Sequence, residues 1–138
     1  MTSLAPKILS ILRFLAGTMF ACYGAQKLFG AFGGMPPGVP MDWMIWTSGT
    51  IEFFGGSLIA LGLFTRPAAF IASGLMACAY FIGHARNGFW PNANGGEPAI
   101  LYCWIFLYLS AQGPGVWAVD TLWRRRHPLR SAAAAPPL

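Results

Sequence analysis

The chain has 138 residues, 56% of them hydrophobic and 9% charged, with a formal net charge of +5 and a mean hydropathy of +0.53. Soluble domains carry roughly 25% charged residues, so this composition excludes a surface covered by water on all sides and calls for lipid as solvent. The basic residues collect at the ends of apolar runs and not along one groove-sized face, which excludes a nucleic-acid binder and fits charges that orient membrane spans.

The first apolar run extends from about Ile8 to Phe29, and Arg13, Gly17, Ala21 and Gly24 fall on one helical face within it. A small-residue stripe of this kind lets helix backbones approach closely in lipid. Arg13 interrupts the run and no small-x-small site follows, so the segment is expected to remain as an anchor and not to be cleaved. Residues 30–42 hold four glycines and three prolines and read as an irregular loop.

The second run, Trp43 to Phe64, places Glu52 on the same stripe as Gly56 and Ala60. It is long enough to cross a bilayer, at about 20 residues with a rise of about 1.5 Å each. A carboxylate in such a run is costly unless it is paired, protonated or facing a polar cavity. Thr65-Arg66-Pro67 makes a turn, with Pro67 suited to the first turn of the next helix. The third run is Ala68 to about His84, with Ala69, Ser73, Ala77, Tyr80 and His84 on one face. After a loop rich in Asn and Gly, a fourth run goes from Glu97 to about Trp117, its last turn loosened by Gly113-Pro114-Gly115.

These runs predict an all-α fold, an antiparallel four-helix transmembrane bundle over residues 1–123, with helices at about 8–29, 43–64, 68–84 and 97–117. Residues 124–138, basic and then rich in Ala and Pro, read as a disordered tail. Lys7, Arg66, Arg124, Arg125, Arg126 and Arg130 on one side, against Lys27 and Arg86 on the other, place both termini in the cytoplasm. Trp43, Trp46, Trp90, Trp117 and Trp123 fit an interfacial aromatic belt.

The succession Arg13-x3-Gly17, Gly24-Ala25-Gln26-Lys27-Leu28-Phe29-Gly30, Ile51-Glu52-Phe53-x-Gly55-Gly56, Gly62-Leu63-Phe64-Thr65-Arg66, His84, Asn87-Gly88-Phe89, Asn94-Gly95-Gly96-Glu97 and Gly113-Pro114-Gly115 followed by Asp120 resembles the DoxX family over about Ile8 to Asp120. Pro98 and Val116-Trp117 depart from the family's usual residues at those positions. The resemblance implies a small four-helix membrane protein of the bacterial inner membrane. It also implies a link to quinone-dependent redox chemistry, with a quinone as cofactor and a protein partner in a redox complex. Neither spacing nor charge specifies a reaction, and a non-enzymatic scaffold or assembly subunit, or a small-solute pathway, stays open beside the membrane subunit of a redox system.

Two constellations stand out. Arg13 lies about 9 Å past Lys7 and Glu52 about 21 Å past Arg66, an axial gap of roughly 12 Å. An outward-pointing arginine nearly bridges that gap, so the two are expected to form a buried structural ion pair fixing which helix faces which. At the outward mouth, Gln26, Lys27, His84, Arg86, Asn94 and Glu97 are expected to converge. Gln26, Lys27, His84, Arg86 and Asn94 are the candidate ligand- or quinone-binding residues, and Glu52, His84 and Glu97 the candidate catalytic, proton-handling groups. The plainer reading is that these side chains cap loops and snorkel to headgroups, and that Glu97 simply suits a helix N-terminus. Cys22, Cys78 and Cys103 form no CxxC pair. They read as small buried hydrophobes with no metal to hold.

Overall fold

A computed structural model describes residues 4–127, and every regular element among the described residues is helical, without a strand. Helix α1 spans Ala5–Phe29, opens with a proline in its first turn and stops at Gly30, whose left-handed φ of 66° ends the winding. Helix α2 spans Trp43–Leu61. Asp42 caps its start by accepting a hydrogen bond from the Ile45 amide at 3.0 Å. Helix α3 spans Thr65–Asn87. A single helical turn, Pro91–Asn94, precedes helix α4, Glu97–Gln112, and a short helix α5 covers Val119–Arg126.

Three of these, α1, α2 and α3, are long and apolar enough to cross a membrane. Helix α4 has 16 residues, about 24 Å of helix against a hydrocarbon core of about 30 Å. It stops five residues short of the expected Trp117 because Gly113 takes φ 92° ahead of Pro114. Helix α2 ends at Leu61, not Phe64, because Gly62 and Phe64 both adopt left-handed φ. Helix α3 therefore starts earlier than Ala68, and it runs on past His84. The expected boundary between bundle and tail, at 123/124, falls inside α5. Of the predicted tail, residues 128–138 lie outside the described residues.

Helix α1 runs against α2, and α3 against α4, in opposite chain directions. Along α1 and α2 the two small-residue stripes face each other: a Cβ on Gly17 would sit 2.5 Å from the Ala60 nitrogen, and one on Gly56 equally close to the Ala21 nitrogen. A Cβ on Gly24 would overlap the backbone of Phe53. Nothing larger than hydrogen fits at these crossings, which is how a bilayer, lacking a hydrophobic drive between helices, still gains tight packing. Along α3 and α4, Ser73 Oγ donates to the Cys103 carbonyl at 2.8 Å, and Arg66 Nη1 donates to the Ala111 carbonyl at 2.6 Å. The two hairpins join where Phe20 of α1 meets Phe106 edge-on, ring centroids 4.7 Å apart, with Tyr102 stacked on Phe106. Ile8, Phe14, Met19, Phe54, Phe70, Phe81 and Trp104 point outward and are exposed. A girdle of that kind suits hydrocarbon and not water.

Two stretches inside these helices widen into π-helical turns, Ile51–Gly55 in α2 and Tyr80–His84 in α3. Each turn inserts one extra residue and re-aims the side chains that follow, a feature often found where a helix builds a site. Glu52 lies in the first and His84 closes the second.

Candidate functional site

The buried polar groups separate into two nodes along α2, one at its C-terminal end and one near its middle. At the C-terminal end sits Arg13, 2% exposed. Its guanidinium donates to the carbonyls of Pro114 at 2.8 Å, Ile59 at 2.5 Å, Trp117 at 2.6 Å, and Ala60. Ile59 and Ala60 lie in the last turn of α2, so Arg13 caps carbonyls at its C-terminus, that of Ile59 shared with the Gly62 amide at 3.1 Å, and sits on the negative end of its dipole. Asp120 completes the node: its amide donates to the Gly62 carbonyl at 3.0 Å, and its carboxylate accepts from the Thr65 amide at 3.4 Å. The expected Arg13–Glu52 ion pair is thus absent. Arg13 is held by four backbone carbonyls of two separate segments, and Glu52 is paired elsewhere.

Glu52 belongs to the second node. It is 3% exposed, and its Oε1 accepts from Lys27 Nζ at 2.6 Å, the one salt bridge among the described residues. Lys27 also donates to Ser48 Oγ at 3.1 Å, and Ser48 passes its own proton to the Ile45 carbonyl at 3.0 Å. An ammonium has three N–H donors, so one remains. The other carboxylate oxygen, Oε2, is buried without a hydrogen-bond partner. His84 Nδ1 lies 3.2 Å from the Asn94 carbonyl. A carbonyl only accepts, so this bond keeps the proton on Nδ1 and leaves Nε2 of the neutral ring as an acceptor.

Two cavities adjoin this pair. One, about 330 Å³, opens between α2 and α3 past Trp43, Met44, Leu75, Cys78 and Ile82. The other, about 280 Å³, lies on the side of α1 and α4 among Phe20, Tyr23, Met76, Ala99 and Tyr102. Lys27, Glu52, Ala79 and His84 line both. The Lys27–Glu52 pair is therefore a polar partition between two mainly apolar spaces, with the imidazole beside it. The arrangement can bind a polar head while the walls hold an apolar body.

The remaining predicted site residues fall outside this partition. Gln26 Nε2 donates to the Gly34 carbonyl at 2.8 Å and ties down the first loop. The Asn94 side chain bridges its own loop, donating to the Gly88 carbonyl at 2.7 Å and accepting from the Gly96 amide at 2.8 Å, and only its backbone carbonyl reaches His84. Arg86 and Glu97 are exposed, Glu97 in the first turn of α4 beside a groove that also holds Tyr23 and Tyr102. The three cysteines are free, with Cys78 exposed toward the first cavity and Cys103 Sγ 3.5 Å from Ser73 Oγ. Among the described residues no three His, Cys, Asp or Glu side chains gather as a metal site. Sequence reasoning missed Ser48 and the Lys27–Glu52 pairing. The facing small-residue stripes carried that signal, since the register that seats Gly17 against Gly56 and Ala60 also brings Lys27 beside Ser48.

Three apolar helices long enough to span a bilayer, with an ion pair sequestered between two cavities, define a helical membrane protein with an internal polar site. The DoxX family profile matches residues 8–85. The chain belongs to the DoxX family. It is 43% identical over 122 residues to an "Uncharacterized protein" of Haemophilus influenzae (strain Rd), covering 83% of this chain and 90% of that relative. A second "Uncharacterized protein" of the same organism is 31% identical over 74 residues, 54% of this chain and 49% of the relative. No solved structure matches the chain.

Proposed function

We propose that the protein is the membrane subunit of a quinone-linked redox system, and that the cavities flanking Lys27–Glu52 receive the quinoid ligand. In this reading α4 is a fourth span of an antiparallel bundle in the bacterial inner membrane, and both termini are cytoplasmic. The charge asymmetry supports that orientation. It puts the Lys27–Glu52–His84 node toward the outer leaflet and the Arg13 node toward the inner one. The observation that carries the reading is the Lys27–Glu52 pair on the wall shared by two apolar cavities, one of which opens sideways between α2 and α3. A lateral opening admits a lipid-soluble molecule, and Lys27 and His84 offer polar groups to its head. Glu52 and His84 are the proton-handling groups of this site, while Glu97, exposed at the start of α4, serves as a route to bulk solvent.

The test is purification in nanodiscs with a short-chain ubiquinone analogue present. Retained quinone, or a quinone-dependent spectral change, that weakens at least about tenfold (about 1.4 kcal/mol) in His84→Ala is the expected result. Wild-type protein that retains no quinone, or His84→Ala that matches it, refutes the proposal. A second reading, a non-enzymatic assembly subunit, draws on α5, whose exposed Leu122 and Trp123 adjoin Arg124, Arg125 and Arg126. Co-purification of a stoichiometric protein partner without bound quinone favours it.

A further inference from the structure

We infer that the ligand of this site is a neutral amphiphile whose head carries a hydroxyl group, and that this hydroxyl donates to Glu52 Oε2. The inference rests on the reading of the two cavities as a quinoid site and adds the chemistry of the head: of the quinoid couple, the quinol, which carries hydroxyls, is the form that Oε2 favours over the acceptor-only quinone.

The argument is an inventory of donors and acceptors. Oε1 of Glu52 is taken by Lys27 at 2.6 Å, and Oε2, on a side chain 4% exposed, has no partner. A buried charged acceptor left unmatched is among the more costly defects a fold can hold. No protein hydroxyl reaches it, although those of Thr47, Tyr23 and Tyr102 line the same two cavities. Ser48 gives its proton to the Ile45 carbonyl, and Tyr80 gives its own to the Phe89 carbonyl.

An acceptor-only head, such as an ether, ester or bare carbonyl, would face lone pairs with lone pairs at Oε2. A cationic head would bring a second positive charge beside Lys27, whose ammonium already neutralises the carboxylate. An anionic head would meet that carboxylate directly. A neutral O–H avoids all three conflicts. Its proton goes to Oε2 and its oxygen accepts the spare N–H of Lys27, so one hydroxyl completes both members of the pair. The walls provided by Trp43, Leu75 and Ile82 on one side and Phe20 and Met76 on the other suit an aromatic or aliphatic body.

A matched pair of probes isolates the hydroxyl: 4-nonylphenol and its methyl ether, 4-nonylanisole, titrated against the protein in phosphatidylcholine nanodiscs. Binding is read by equilibrium dialysis. Empty nanodiscs correct for partitioning. The phenol is expected to bind the wild-type protein about tenfold to a hundredfold more tightly than the ether, the range of one hydrogen bond to a charged group. In the double variant Lys27→Met/Glu52→Leu, which removes the ion pair as a unit and is checked for helical content and monodispersity, that preference is expected to vanish.

Equal affinities for phenol and ether on the wild-type protein overturn the inference, with an ordered water then satisfying Oε2. A phenol preference that persists in the double variant also overturns it, because the acceptor then lies elsewhere. If neither probe binds but a quinone does, the hydroxyl assignment falls and the quinone site stands. If no probe and no quinone binds, both fall.

Discussion

A double-mutant cycle on Lys27 and Glu52 gives the sharpest stability prediction. In Lys27→Met, Glu52 keeps a side chain 4% exposed with both oxygens unmatched, because Ser48 has already committed its proton. Leaving a buried charge naked costs about 3–5 kcal/mol. In Glu52→Leu, the lysine keeps Ser48 as a partner. It is 17% exposed and stands in the last turn of α1, so its ammonium can swing toward the interface. That relief holds the loss to about 1–2 kcal/mol. The double variant, with no charge left to strand, is expected to lose less than Lys27→Met alone, a coupling of about 2–3 kcal/mol. The assay is reversible unfolding in mixed micelles of dodecylmaltoside titrated with SDS, followed by helical circular dichroism. Single-variant losses that simply add, with coupling under about 0.5 kcal/mol, would refute the reasoning. So would equal losses for the two single variants, because the asymmetry follows from which partner can reach water.

Two further predictions use the same assay. Arg13→Met strips a donor group from four carbonyls and is expected to destabilise by at least about 3 kcal/mol, while Arg13→Lys, a point charge with three donors, recovers part of that loss; equal stability of the two variants would show that the positive charge by itself contributes nothing there. Gly56→Leu drives a side chain into the Ala21 backbone and is expected to lose several kcal/mol or to misassemble, whereas Gly74→Leu, with open space around its Cβ position, stays within about 1 kcal/mol of the wild type. Similar losses at both glycines would remove the close-packed α1–α2 crossing as their explanation.

Much of this protein was legible in its sequence because lipid imposes strict rules. The apolar runs fixed where helices form, since every backbone amide in a bilayer needs an internal partner. Gly30 marked the end of α1, because left-handed φ stops a helix, whereas the Gly113-Pro114 step, read only as loosening a last turn that ran on to Trp117, in fact ends α4 at Gln112. The small-residue stripes named the faces that meet, and Glu52 announced itself as a carboxylate in need of company. Family membership followed from the order of the motifs.

Which group would answer Glu52 was decided only in three dimensions. Axial depth along two separate helices paired it with Arg13, but depth counted from the inner edge ignores how the stripes interlock. Once Gly17 and Gly24 seat against Ala60, Gly56 and Gly49, rigid backbone contact sets the register. Lys27 then falls beside Glu52, and Arg13 falls beside the end of α2, where carbonyls and not a carboxylate await it. The π-helical turns at Ile51–Gly55 and Tyr80–His84 carry no sequence signature of their own, yet they govern how Glu52 and His84 meet the cavities. Composition, a sum over single residues, thus determined the solvent and the helices. Pair geometry, which depends on how two surfaces of fixed shape nest, determined the site.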